Sequence, residues 1–284
     1  MLPLKDNVPT RRFPILTVAL ILINVAMFFA FQHAHWSGSG FAVSDTNVVK
    51  YAYIPYELTH PGKHCGDRAV LASGQHVSAA SGSAQIFCEG KSVHGVNGLG
   101  QPISEPVRKV QPKHQPSVWL TILTAMFMHG GLLHIGGNML FLWIFGNNVE
   151  DSMPRPAFLG FYLMGGLAAT LLQTVVDPNS TVPNLGASGA IAAVLGGYAL
   201  LYPRARVVTL VFIIFFITVL ELPALVVLGG WFLLQLLDAS QTHAGGGGVA
   251  YFAHIGGFLF GLLVIKLFAT RANTNYLRPN IPVY

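Results

Sequence analysis

The chain has 284 residues, 52% of them hydrophobic and only 10% charged, with a formal net charge of +5 and a mean hydropathy of +0.55. A soluble domain of this length carries about a quarter charged residues, so soluble enzymes and binding modules are excluded. The basic excess sits in short loops and tails, where it anchors a membrane protein, and no basic surface for nucleic acid is implied.

The first apolar block, residues 13–31 (FPILTVALILINVAMFFAF), follows Lys5, Arg11 and Arg12. It is close to the roughly 20 residues that cross a bilayer. It is too long, and lacks the small-residue cleavage site, for a signal peptide. Further blocks run over residues 119–145, 158–175, 188–202, part of 207–237, and 250–268. Glu221 and Pro223 interrupt the fifth, which therefore reads as one span after about residue 220, preceded by an interfacial or partly buried apolar segment. Six spans are expected, giving an all-α membrane protein built as a six-transmembrane-helix bundle.

Short-loop charge sets the orientation. Lys5, Arg11, Arg12, Arg155, Arg204, Arg206, Lys266, Arg271 and Arg278 fall on one side, whereas the loops at 176–187 and 238–249 hold no Lys or Arg. Both termini are thus expected in the cytoplasm. The chain divides into a cytoplasmic tail (1–12), a first transmembrane helix (13–31), a long extracytoplasmic loop (32–117), a core of transmembrane helices two to six (118–269) and a second cytoplasmic tail (270–284). The long loop is rich in Gly, Ser and His, shows no obvious core, and carries both cysteines, Cys65 and Cys88. Two free thiols are one possibility. Outside the cytoplasm two cysteines also pair, and a single disulfide is the expectation.

Polar and ionisable side chains inside a membrane are costly, so each is a functional candidate. Four stand out: Ser188, His254, His134 and Asn138. Spans two, four and six all run from outside to inside. Ser188 opens span four, within NLGASGAIAAVLGG, and His254 lies about four residues into span six, after the flexible glycines at 245–248. The hydroxyl and imidazole therefore share a depth below the outer surface. Ser188, Ala192 and Gly196 form one stripe on span four, and His254, Gly257 and Gly261 another on span six. Small facing residues let membrane helices approach closely, within the reach that an activated nucleophile needs.

His134 and Asn138 are four residues apart and share a face of span two. An amide and an imidazole N–H suit the oxyanion of acyl transfer, as does the Ser188 backbone N–H at a helix start. A metal reading would combine His129, His134 and His254, but an i, i+5 pair does not share a helical face, and no metal or other cofactor is implied. No acidic residue completes a triad with Ser188 and His254.

These motifs resemble the rhomboid family of intramembrane serine proteases. Gly186-Ala187-Ser188-Gly189 is similar to its GxSG motif, and Ala253-His254 with Gly257 and Gly261 to its AHxxGxxxG motif. His129, His134 and Asn138 match its HxxxxHxxxN pattern. The resemblance implies a six-helix rhomboid-like bundle with a water-filled cavity open to the outside. Ser188 would be the nucleophile, His254 the base and then the acid, and His134, Asn138 and the Ser188 N–H the oxyanion donors. It also implies a lateral gate near Trp231, Phe232 and Gln235, and a structural role for Glu150. Where some members carry an aromatic four residues after the serine, this chain has Ala192. The expected partners are transmembrane protein substrates and membrane lipid, and the expected location is a bacterial cell (inner) membrane. Two other classes remain open: a non-catalytic relative that binds membrane clients, and a small transporter, for which Glu221 with Pro223 is the lone feature.

Overall fold

A computed structural model describes residues 2–37, 40–43, 45–79, 86–96, 102–111, 116–213, 216–241 and 250–272. The glycine linker at 245–248, Arg278 and most of the tail at 270–284 lie outside the described residues. The helices are α1 (Ile15–Ala26), α2 (Asp45–Tyr51), α3 (Pro55–Thr59), α4 (Val118–Ala125) and α5 (Leu132–Phe141). They continue with α6 (Asn147–Asp151), α7 (Arg155–Val176), α8 (Ser188–Leu201), α9 (Ala224–Gln241) and α10 (Tyr251–Phe268). The chain forms two compact units, one from Met1–Ala26, Leu133–Gln173 and Ala187–Tyr284, the other from Met27–Leu132 and Thr174–Gly186.

In the first unit, α7, α8 and α10 pack almost backbone to backbone. A Cβ on Gly257 would overlap the Gly189 carbonyl, one on Gly261 the Ala193 carbonyl, and one on Gly196 the Phe258 carbonyl. Gly165 on α7 is similarly closed off by Ala193, and Gly256 on α10 by Leu172. Glycine is thus required by close approach rather than by backbone angle. Among the described residues, two helices, α7 and α10, are long and apolar enough to cross a membrane, and Ile15–Phe31, Ser188–Leu201 and Ala224–Ser240 are shorter apolar helices.

One end of this unit collects the charges. Glu150 is buried and accepts hydrogen bonds from Leu16 N (3.1 Å), Thr17 N (2.7 Å) and Thr17 Oγ1 (2.8 Å), so its carboxylate sits on the first amides of α1. An anion there satisfies orphan donors and complements the helix dipole. Arg12 and Arg271 both pair with Asp151, at 3.3 and 3.8 Å, and the Thr270 and Arg271 amides donate to Ser152 O at 3.0 Å. Arg206 N donates to Asn7 Oδ1 at 2.8 Å. Segments from the N-terminus, the α6–α7 turn, the chain after α8 and the chain after α10 therefore meet at one end.

The second unit holds a four-stranded antiparallel sheet over a small core of Ala69, Leu71, Phe87, Val107 and Val110. In the Pro102–Gln111 strand, Val107 and Val110 both face inward despite their odd spacing. The register against Arg68–Leu71 slips by one residue there, as a β-bulge does. Cys65 and Cys88 are directly paired across two short strands and joined by a disulfide.

The structure corrects three expectations. The molecule is not all-α. Within residues 32–117, where no core was expected, the strands Arg68–Leu71, His76–Ser78, Ser92–Val96 and Pro102–Gln111 form a sheet with a small core of its own. Residues 207–213 and 216–220, expected as an interfacial or partly buried apolar segment before the fifth span, lie in two paired antiparallel strands, Arg206–Ile213 and Phe216–Pro223, extended by the Leu2–Asp6 strand. Val207, Val208, Val211, Ile213, Ile217 and Val219 are β-branched and favour that conformation. Finally, residues 119–145 are not one helix. α4 ends at Ala125 and α5 begins at Leu132, with Gly130-Gly131 in the break, where glycine gives up the most freedom on entering a helix.

Candidate active site

The first unit carries Ser188, His254, His134 and Asn138. Ser188 is the first residue of α8. Gly186, two residues earlier, has φ +119°, a conformation that L side chains rarely adopt. The first position of the Gly-x-Ser-Gly sequence is thus set by backbone geometry where the chain turns into the helix.

His254 stands in the first turn of α10, and the α8–α10 crossing delivers its ring to the serine. Its Nε2 lies 2.7 Å from Ser188 Oγ. Both side chains are half-buried. The expected pairing of hydroxyl and imidazole is therefore realised, and the small residues that make it possible are Gly189, Ala193 and Gly196 against Gly257 and Gly261.

Three side chains hold the histidine. The buried Gln235 on α9 places Oε1 2.6 Å from His254 Nδ1. Gln173 on α7 accepts the Ala253 amide at 3.2 Å, tying down the backbone beside the histidine. The Trp231 ring lies 5.8 Å from the imidazole, tilted by 41°. Phe232 stacks on Phe258 at 4.5 Å and fixes α9 against α10. Trp231 and Gln235, which the family resemblance linked to a gate, thus touch the histidine itself. With Ala192 small, the aromatic beside the ring comes from α9 instead of α8.

His134 and Asn138 lie one turn apart on α5, as their spacing required. His134 is half-buried. Asn138 is buried, and its Nδ2 has no hydrogen-bond partner among the described residues. His129 belongs to the second unit and precedes α5. Its backbone is gripped at both ends by Gln32, which accepts from His129 N and donates to His129 O, each at 2.8 Å.

Gln32 and Gln173 escaped sequence reasoning because each works on a backbone group, which no spacing motif marks. Polarity within an apolar neighbourhood was the available signal, and for Gln235 it pointed to the region without revealing the partner.

The Rhomboid domain family model matches residues 116–271. Rhomboid protein 1, mitochondrial, of Saccharomyces cerevisiae is 30% identical over 153 residues, covering 51% of this chain and 40% of that protein. Presenilin-associated rhomboid-like protein A, mitochondrial, of Danio rerio is 32% identical over 149 residues, covering 51% and 37%. Rhomboid-like protein 11, chloroplastic, of Arabidopsis thaliana is 28% identical over 172 residues, covering 54% of each. The chain thus spans about half or less of the length of these relatives, whose names place them in organelles rather than in a bacterial membrane. With the family's domain matched over more than half of its length, the chain belongs to the rhomboid family of membrane proteins.

Proposed function

We propose that this chain is an intramembrane serine endopeptidase that cleaves transmembrane segments of membrane proteins with a Ser188–His254 dyad. The observation that carries this reading is the 2.7 Å contact between Ser188 Oγ and His254 Nε2. A relative that only bound clients would have no use for a hydroxyl seated on an imidazole.

In this mechanism Ser188 Oγ attacks the scissile carbonyl carbon while its proton passes to His254 Nε2. The carbonyl oxygen becomes an oxyanion facing the Ser188 N–H, which has no acceptor within its own helix. Asn138 Nδ2 and His134 supply the other donors. Collapse of the tetrahedral intermediate breaks the C–N bond, and His254 returns its proton to the departing amine. Water then repeats the sequence on the acyl-enzyme and restores the serine.

The proposed setting is a six-span bundle with both termini on the Lys/Arg-rich side. At about 1.5 Å per residue, the 14 residues of α8 reach about 21 Å. That falls roughly 9 Å short of a hydrocarbon core about 30 Å thick. Since Arg204 and Arg206 hold the far end of α8 at the basic side, Ser188 starts below the opposite surface, where water can enter from outside. Helical carbonyls are already hydrogen-bonded, so spans loosened by Gly or Pro are the better substrates.

A fluorophosphonate probe tests the nucleophile. The wild-type chain in detergent should be labelled at Ser188, and both Ser188→Ala and His254→Ala should lose labelling. Labelling that persists in Ser188→Ala overturns the assignment.

A further inference from the structure

We propose that Gln235 is the positioning residue that completes the dyad, fixing the tautomer and orientation of His254. This inference rests on the protease reading above and deepens it.

A neutral imidazole has one N–H donor and one acceptor nitrogen. To take the proton of Ser188, Nε2 must be the acceptor, so Nδ1 must carry the hydrogen. That N–H needs an acceptor of its own, because a buried donor left unpaired is costly. Gln235 Oε1 stands 2.6 Å from Nδ1, on a side chain only 9% exposed. The amide oxygen thereby selects the Nδ1–H form and leaves the Nε2 lone pair directed at the hydroxyl 2.7 Å away. An amide nitrogen in the same place would drive the proton to Nε2 and block general-base catalysis.

A soluble serine hydrolase commonly gives this place to a carboxylate. Here the group sits on an apolar helix, α9, where an ion would have to be stripped of water at high cost. A neutral amide orients the ring without that cost. Trp231, one turn earlier on α9, lies beside the same ring, so a single helix supplies both the packing and the hydrogen bond.

The test uses the full chain, a fluorophosphonate probe and a membrane-spanning substrate, with two variants. Gln235→Met keeps the size but removes the acceptor; Gln235→Glu retains an acceptor oxygen. Gln235→Met should lower both kcat and the labelling rate by about 10²-fold, the scale of a misplaced catalytic group, while KM stays within about twofold. Gln235→Glu should recover most of the loss. In the wild-type chain, ¹⁵N NMR of labelled histidine should find the His254 proton on Nδ1, which requires no variant to fold. A wild-type proton on Nε2, or a folded Gln235→Met that labels as fast as wild type, overturns the positioning role. In both of those cases Ser188 labelling in the wild type leaves the protease reading standing. If the wild-type chain does not label at all, that reading fails and the role of Gln235 fails with it.

Discussion

Asn138 carries the most unusual polar atom of the site. Its side chain is 8% exposed, and its amide nitrogen finds no acceptor among the described residues. Such a donor costs about 1–3 kcal/mol, and in the proposed mechanism that cost is recovered when a negative oxygen forms beside it. Asn138→Ala should therefore lower kcat by about 10²- to 10³-fold with little change in KM, and should not lower the melting temperature. Unchanged turnover in a folded variant would remove Asn138 from the oxyanion site. Ser188, His254, His134 and Asn138 were legible in the sequence as candidates because polar groups within apolar runs are few and expensive. The partner of His254 Nδ1 was not. α9 is apolar around most of its circumference, so nothing in its sequence fixes which way Gln235 turns.

The ties between elements are equally specific. Asp6, at the end of the N-terminal strand, accepts from Tyr198 Oη on α8 at 2.5 Å and from Asn148 Nδ2 on α6 at 2.7 Å. Burial pushes its carboxyl up from 3.8 to about 7, against the opposing pull of the Tyr198 hydrogen bond. Between these two values the folded chain holds the proton and the unfolded chain does not. Stability therefore falls as pH rises through this window, and levels off above about 7. Thermal unfolding across this range should show that slope in the wild type and a flatter one in Asp6→Asn; equal slopes would contradict the assignment. The small-residue stripes on α8 and α10 were legible because their spacing repeats at the helical period. The strand pair of Arg206–Ile213 and Phe216–Pro223 was not, because an apolar run without alternation reads equally as helix or strand.

At the scale of the molecule, composition sufficed for a membrane protein, and α7 to α10 run close to where the apolar blocks placed helices. What composition concealed was β-structure. Among the described residues, the sheet between residues 68 and 111 rests on five buried side chains, supplemented by the Cys65–Cys88 disulfide, a pairing common where a core is too small to suffice alone. Three of its four strands have only three to five residues and carry too little alternation to rise above a Gly/Ser-rich background. The charges were more informative, since segments assigned to one side by their Lys and Arg do converge around Asp151, Ser152 and Asn7. They leave the opposite end of α8 for Ser188, which supports the proposal that the site meets water from the other face. The most direct measurement is cleavage of a substrate with a Gly- or Pro-containing span, co-reconstituted in liposomes with the full chain. The wild-type chain should release a fragment cut within that span near one membrane face, and Ser188→Ala should release none. Equal cleavage by Ser188→Ala would contradict the account.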